Sequence, residues 1–325
     1  MFSACSEQKG NPTVNSSVTN VEPASNGFSD YTPVTIENCG MNSTYKKPPE
    51  RVVTLDQPAT EVMLALGLED RMVGTAYLDN QIPPKYQKAY AKVPVLAKQY
   101  PSREVLLATE PDFVYASFPG AFGREDTSER QDLLSLGINS YLSPQGSREI
   151  CKPGMETMEN VYSEIRNIGR IFGVEERARK LIASLQEQIQ ETQNKLGKVE
   201  TPRQVFWYAS EDPPYTIIPG SLPNQILELA GGQNIFQEEG EGTYVKVNWE
   251  DVIARNPQVI ILSDATWSPA QKQKQFFQSN PAYLQIKAVQ EEQFVVIDYS
   301  YSVSLVSTAE GVRQLAKALY PEGFQ

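Results

Sequence analysis

Apolar residues recur at helical spacing across 154–199. Val161, Ile165, Ile168, Ile171 and Phe172 share one face, and after Gly173 the pattern resumes at Ala178, Leu181, Ile182, Leu185, Ile189 and Leu196. No proline follows Pro153 within the stretch, and Gly197 with Pro202 beyond it supplies a stop. The spacing predicts a connecting helical segment roughly a dozen turns long at ~3.6 residues per turn, with a break at Gly173.

On both sides the pattern changes to short β-branched or apolar runs alternating with short helical ones. Upstream it predicts strands over 31–37, 51–55, 72–76, 113–116 and 138–142, helices over 59–66 and 127–136, and a loop over 77–100. Ser102 opens a further short helix carrying Val105, Leu106 and Leu107. Downstream it predicts strands over 204–208, 215–218, 259–262 and 294–297, with helices over 222–230, 249–254 and 309–319. Such alternation is that of a parallel or mixed α/β sheet, here twice over.

The two halves echo each other. Glu104-Val105-Leu106-Leu107-Ala108, running on through Pro111 to Val114, resembles Glu250-Asp251-Val252-Ile253-Ala254, running on through Pro257 to Ile260; 61–67 resembles 225–231. Two related α/β lobes joined by a long helix, with the function in the cleft between them, are the expected architecture. Residues 1–30, rich in Ser, Asn and Thr, read as a tether; 31–153 as the first lobe; 154–199 as the connecting segment; 200–325 as the second lobe.

Charge and composition narrow the function. The formal net charge of -11 and a pI near 4.8 disfavour nucleic acid and anionic membrane, which call for basic surface. No run of ~18 apolar residues is present to span a bilayer. The chain of 325 residues has no histidine. Ser-His-Asp and Cys-His chemistry and imidazole-built zinc sites are thereby excluded, while serine-lysine and paired-carboxylate chemistry are not. No dinucleotide fingerprint, phosphate loop or nucleophile elbow occurs, and Gly231-Gly232 reads as a helix stop.

Cys5, preceded by Phe2-Ser3-Ala4 and followed by a polar tract, reads equally as a lipidation cysteine or as an unremarkable cysteine in a tail. Cys39 and Cys151 bracket the first lobe and, in an exported chain, read as a disulfide pair; two buried thiols are the alternative.

Aromatic residues at or just past the expected strand ends are the main candidates for a site: Tyr77, Tyr100, Phe118, Phe122, Trp207, Tyr208, Tyr215, Tyr244, Trp267, Tyr299 and Tyr301. Loops beyond the carboxyl ends of strands form the ligand crevice of α/β sheets, and rigid rings there can bury a bulky ligand. Trp207 and Tyr215 fit the interior of the second lobe as well.

Several segments together carry a resemblance: Pro49-Glu50-Arg51-Val52-Val53 with Ala59-Thr60-Glu61, the run from Glu104 to Val114, Asn224-Gln225-Ile226-Leu227-Glu228-Leu229-Ala230-Gly231-Gly232-Gln233-Asn234-Ile235-Phe236, and Trp249-Glu250 followed by Asn256-Pro257. In this order, over about 51–321, they resemble the class III substrate-binding proteins of bacterial ABC importers, the iron-siderophore and cobalamin group. The resemblance implies two Rossmann-like lobes with the ligand between them, no catalytic residues, no cofactor and no protein-bound metal. It implies a small-molecule ligand, an ABC permease as partner, a monomer, and a periplasmic or cell-surface protein attached to the membrane through its lipid. By motif match, Glu104 and Glu228 are the glutamates that would meet permease arginines, although the two are not at equivalent positions of the repeat.

The chain also departs from the pattern. Arg124 is the one arginine well placed in an expected cleft loop, whereas binders of anionic siderophores often use several. The aromatic set therefore leans toward a neutral or weakly charged ligand, or one whose metal is fully chelated: a ferric siderophore first, a corrinoid second. Without histidine, a bare zinc or manganese ion is disfavoured; ferric iron held by tyrosines alone stays open. The alternatives from other classes are an exported two-lobed enzyme acting on a glycan through two carboxylates such as Asp264 and Asp298, and a surface adhesin.

Overall fold

The computed structural model describes residues 1, 31–123, 128–151, 156–209, 212–238 and 242–324, with backbone alone at 146, 148 and 149. Cys5 and the tether apart from Met1, and Arg124, lie outside the described residues.

The first lobe opens with an antiparallel hairpin, β1 (Val34–Asn38) and β2 (Met41–Tyr45). Val34, Ile36 and Asn38 face inward while Thr35 and Glu37 face solvent, the alternation of a half-buried strand. Then follow β3 (Val52–Thr54), α1 (Gln57–Ala65), β4 (Met72–Ala76), α2 (Pro84–Tyr90), β5 (Val95–Ala97), α3 (Arg103–Leu107), β6 (Phe113–Ala116), α4 (Arg130–Ser135), β7 (Asn139–Leu142) and α5 (Arg148–Cys151). The sheet order is β5-β4-β3-β6-β7, parallel throughout. Its central strands β3 and β6 are buried along their whole length, as strands covered on both faces must be. Cys39, in the hairpin turn, is disulfide-bonded to Cys151 at the end of α5, with Cα atoms 4.2 Å apart.

The connecting segment is two helices, α6 (Met158–Phe172) and α7 (Glu175–Leu196), where the spacing alone gave one helical stretch with a break. Thr157 and Asn160 form a reciprocal capping box at the start of α6, and Gly173, left-handed at φ 65°, ends it. The N-terminus of α6 is held in the second lobe, where the Glu156 amide donates to the Gly220 carbonyl at 2.7 Å. Its body packs in the first lobe, with Tyr31 Oη donating to the Ile171 carbonyl at 3.0 Å. From there α7 returns: Arg177 Nη1 donates to the Leu66 and Gly67 carbonyls of the first lobe, and ~28 Å of helix later Leu196 lies against the second. The helices pass so closely that a Cβ at Gly169 would stand 2.6 Å from the Ala178 Cβ.

The second lobe comprises β8 (Arg203–Tyr208), β9 (Tyr215–Ile217), α8 (Leu222–Leu229), β10 (Gly232–Asn234), β11 (Tyr244–Lys246), α9 (Trp249–Arg255), β12 (Val259–Asp264), α10 (Ala270–Ser279), α11 (Lys287–Gln290), β13 (Phe294–Asp298), α12 (Ser300–Val303) and α13 (Thr308–Leu319). Its main sheet is parallel in the order β10-β8-β12-β13; β9 and β11 form a separate antiparallel pair. The orders β4-β3-β6-β7 and β10-β8-β12-β13 correspond strand for strand, so the sequence echo between the halves is a topological repeat. One continuous core runs through both lobes and the connecting helices, joining Val62 and Phe113 with Ile165, Leu185, Trp207 and Leu315.

Candidate ligand-binding cleft

The carboxyl ends of both parallel sheets face a common cleft. Two adjoining cavities occupy it, sharing Phe118 and Tyr299 in their walls. The larger, of about 290 Å³, is walled by Phe118, Gln145, Leu222, Tyr244, Tyr299 and Ser302, among others. The smaller, of about 190 Å³, is walled by Asp56, Tyr77, Asp79, Tyr100, Phe118, Trp267 and Tyr299.

Most of the wall sits where the local fold ends a strand; Leu222 opens α8, Tyr244 opens β11 and Ser302 lies in α12. Asp56 follows β3 and caps α1, accepting from the Ala59 amide at 3.1 Å, while its other oxygen accepts from the Ser117 amide at 2.6 Å. Tyr77 and Asp79 follow β4, Phe118 follows β6, Gln145 follows β7, Trp267 follows β12 and Tyr299 follows β13. Tyr77 and Tyr100 form a T-shaped pair from the first lobe (ring centroids 4.8 Å apart), and Trp267 and Tyr299 a second from the other lobe (5.4 Å).

Hydrogen bonds close one flank of the cleft between the lobes. Trp267 Nε1 donates to Asp79 Oδ1 at 3.2 Å, and the Thr266 amide and hydroxyl donate to the Asp79 carbonyl. Asn80 Nδ2 donates to the Asp264 carbonyl and to Asp298 Oδ1. Deeper in, Glu61 of α1 accepts from Ser304 and Ser307 of the second lobe and from Gln57.

Burial dominates the electrostatics. It pushes the Asp56 carboxyl up to about 6, against the pull of the amides of Ser117 and Ala59. It does the same for Asp79, also to about 6, with the Trp267 bond opposing and the charges of Asp56 and Asp298 adding to the rise. Behind the wall Glu164 is buried and raised to about 7, although Tyr115 and Ser143 donate to it at 2.6 and 2.7 Å. No lysine or arginine is among the described residues that line either cavity.

Of the aromatic candidates, Tyr77, Tyr100, Phe118, Tyr244, Trp267 and Tyr299 are brought together here. The others are not. Trp207 lies within β8, fully buried in the main core, with Nε1 donating to Ser263 Oγ at 2.8 Å. Tyr208, the next residue, turns to the opposite face and packs in an aromatic cluster against Phe276 and Phe277. Both belong to the strand rather than to the loop beyond it, so they are core. Phe122 packs on the outer core of the first lobe, Tyr301 packs against the main core, and Tyr215 lies under Lys246 Nζ. The polar wall residues Asp56, Asp79, Ser117, Ser143 and Gln145 also stand just past strand ends, where position in the sequence signals them as it does the aromatics, whereas Ser302 lies in α12 and carries no such signal.

The sequence profile of the periplasmic binding protein family matches residues 52–301. The chain belongs to the periplasmic binding protein family. A vitamin B12-binding protein of Vibrio campbellii is 29% identical over 216 residues, 66% of this chain and 71% of its own length. An uncharacterized ABC transporter substrate-binding lipoprotein of Bacillus subtilis is 25% identical over 302 residues, 90% of this chain and 87% of its own. The solved structure of an ABC-type Fe3+-hydroxamate transport system protein from Saccharomonospora viridis superposes with a TM-score of 0.72 at 26% identity, covering 88% of this chain and 98% of that one. The expected two-lobed α/β architecture is that of these structures. This periplasmic binding protein is a substrate-binding protein and not an enzyme. The carboxylates of the enzyme alternative are engaged in structure: Asp264 Oδ1 accepts from the Ala270 amide, and Asp298 Oδ1 accepts from Asn80, Ser300 N and Ser300 Oγ.

The docking carboxylates expected from motif match stand differently in the fold. Glu104 is exposed in the first turn of α3, close in sequence to Tyr100 of the cleft wall, and its own amide, then the Ser102 hydroxyl, hold its carboxyl below the usual range. Glu228 is exposed too, but α8 starts at the cleft with Leu222 and Pro223 in the wall, so Glu228 lies about 9 Å down the helix from it. Glu250, in the first turn of α9 ahead of β12, occupies the place in the repeat that Glu104 has ahead of β6.

Proposed function

We propose that this chain is the extracytoplasmic binding component of an ABC importer, capturing a metal chelate between its lobes: a ferric siderophore of the trihydroxamate kind ahead of a corrinoid. The observation that carries the ligand class is the wall itself, rings and buried carboxylates without a described basic residue. Ferric iron wrapped by three hydroxamates is neutral overall and presents apolar edges to rings. A carboxylate- or catecholate-rich chelate would place net negative charge against Asp56 and Asp79, at a cost of several kcal/mol for uncompensated buried charge. The adjoining cavities, about 290 and 190 Å³, each fall short of the ~300–1,000 Å³ of small-molecule sites and reach its lower part only together, which favours a compact chelate over a corrinoid. Cys5 as the point of lipid attachment and a monomeric state belong to the same reading.

Thermal unfolding of the purified chain against a panel tests it: a ferric trihydroxamate, a ferric tris-catecholate, cobalamin, heme, free metal ions and glycans. A ligand at 100 times its Kd stabilises by ~2.7 kcal/mol, a shift of several degrees. Stabilisation by the trihydroxamate with silence from bare metals and the catecholate is expected. A response to cobalamin alone would move the ligand to the corrinoids, and a response to glycans alone would sink the chelate reading.

A further inference from the structure

We propose that the smaller cavity is a recognition box for a positively charged amine or ammonium group on the ligand. The inference takes from the reading above only that the cleft is where the ligand lies.

Five rings surround the cavity, Tyr77, Tyr100 and Phe118 from the first lobe and Trp267 and Tyr299 from the second. None of them is fully buried, and Trp267 is 49% exposed, so they are open to an incoming group. The two carboxylates among them are far more enclosed, Asp56 at 1% and Asp79 at 7% exposure. Asp56 spends its oxygens on the Ala59 and Ser117 amides; Asp79 accepts from the Trp267 indole, a neutral donor. A carboxylate removed from water and answered, among the described residues, by neutral donors is destabilised, and burial raises both acids to about 6. A cation entering among the rings relieves it twice, through attraction to the carboxylates and through the ring quadrupoles, which together favour an ammonium over an uncharged group of the same shape. An anion gains neither. Because the rings and the Asp79–Trp267 bond span both lobes, a cation held here also ties the lobes together.

An independent feature of the adjoining cavity points to a ligand that reaches beyond the box. The Gln145 side chain is 5% exposed, lines the larger cavity, and has neither its Oε1 nor its Nε2 in a hydrogen bond with a described residue. Buried amides are nearly always partnered, so this one is set to read a polar edge of the bound molecule. The two cavities together fit a ligand with a hydrogen-bonding body and a cationic end.

Choline and its uncharged isostere 3,3-dimethyl-1-butanol, titrated into the full chain and followed by tryptophan fluorescence and calorimetry, separate charge from shape. Choline is expected to bind at least about tenfold more tightly than the alcohol. That preference should vanish in Asp79→Asn and shrink several-fold in Tyr100→Leu, which keeps the test alive if the first variant fails to fold. Equal binding of the two probes, or a preference that survives both substitutions, overturns the box. Choline selectivity without any chelate binding would keep the box and remove the chelate; chelate binding with equal response to the two probes would do the reverse.

Discussion

At the scale of single residues, this molecule places carboxyl groups where water does not reach and meets them with hydroxyls and amides instead of cations. Glu164 is one such case, bonded to Tyr115 and Ser143 and raised to about 7. Its folded value lies above the ordinary carboxyl value, so the folded state holds the proton more tightly than the unfolded one. Stability from this group is therefore full in acid and lost as pH rises from about 4.5 through about 7. For Glu164→Gln, denaturant unfolding at pH 5 and pH 8 is expected to show roughly 2–3 kcal/mol less loss of stability between the two than the parent chain shows. An identical pH dependence in both would mean that Glu164 ionises freely in the fold. Residue chemistry was the least legible layer of the sequence. That an aspartate after β3 or β4 is enclosed, and that Trp207 points into the core while Tyr299 does not, depends on which residues end up behind each strand, and no local pattern encodes that.

The elements were legible wherever burial imposed a period. The strands β3, β6, β8 and β12 and the helices α1, α8 and α13 each carry an apolar run or stripe, and all were read to within a few residues. Elements that bury little were missed. α2 has no buried residue and β5 is a part-exposed edge strand, so the stretch over 77–100 reads as loop; β10, though largely buried, is Gly-Gln-Asn without a β-branched side chain. The reading of 154–199 as one broken helical stretch was correct in period and silent on geometry, because a left-handed glycine marks an end without giving the angle that follows. That angle rests on Gly169. In Gly169→Ala the new methyl would meet the Ala178 Cβ at 2.6 Å, and a loss of about 1–3 kcal/mol in unfolding free energy is expected. Adding Ala178→Gly should restore a large part of it, since the two sites touch. Full additivity of the two losses would show that the helices do not depend on this contact. The disulfide is a second constraint of element scale. Opening the link across 112 residues, through Cys39→Ser with Cys151→Ser, is expected to cost up to about 4–5 kcal/mol, most of it from the freed unfolded chain.

At the scale of the whole molecule, the repeat is what makes a binding protein of two α/β units. It turns the carboxyl ends of both sheets toward one cleft and places equivalent helices, α3 and α9, ahead of equivalent strands, β6 and β12. Glu104 and Glu250 hold equivalent first-turn positions on α3 and α9, and under the importer reading we propose this pair, in place of Glu104 with Glu228, for permease docking. Reversing either to lysine should leave ligand affinity within about twofold and cripple uptake, whereas Glu228→Lys should leave both intact; a fall in affinity that tracks uptake would contradict the assignment. The measurement that bears most directly on the whole account is calorimetric titration of the purified chain with a ferric trihydroxamate, beside the variants Phe118→Ala and Tyr299→Ala, whose rings stand in both cavities. One-to-one binding that needs the iron and weakens at least tenfold in each variant is the predicted result. Binding that persists unchanged in both variants would place the ligand somewhere other than between the lobes.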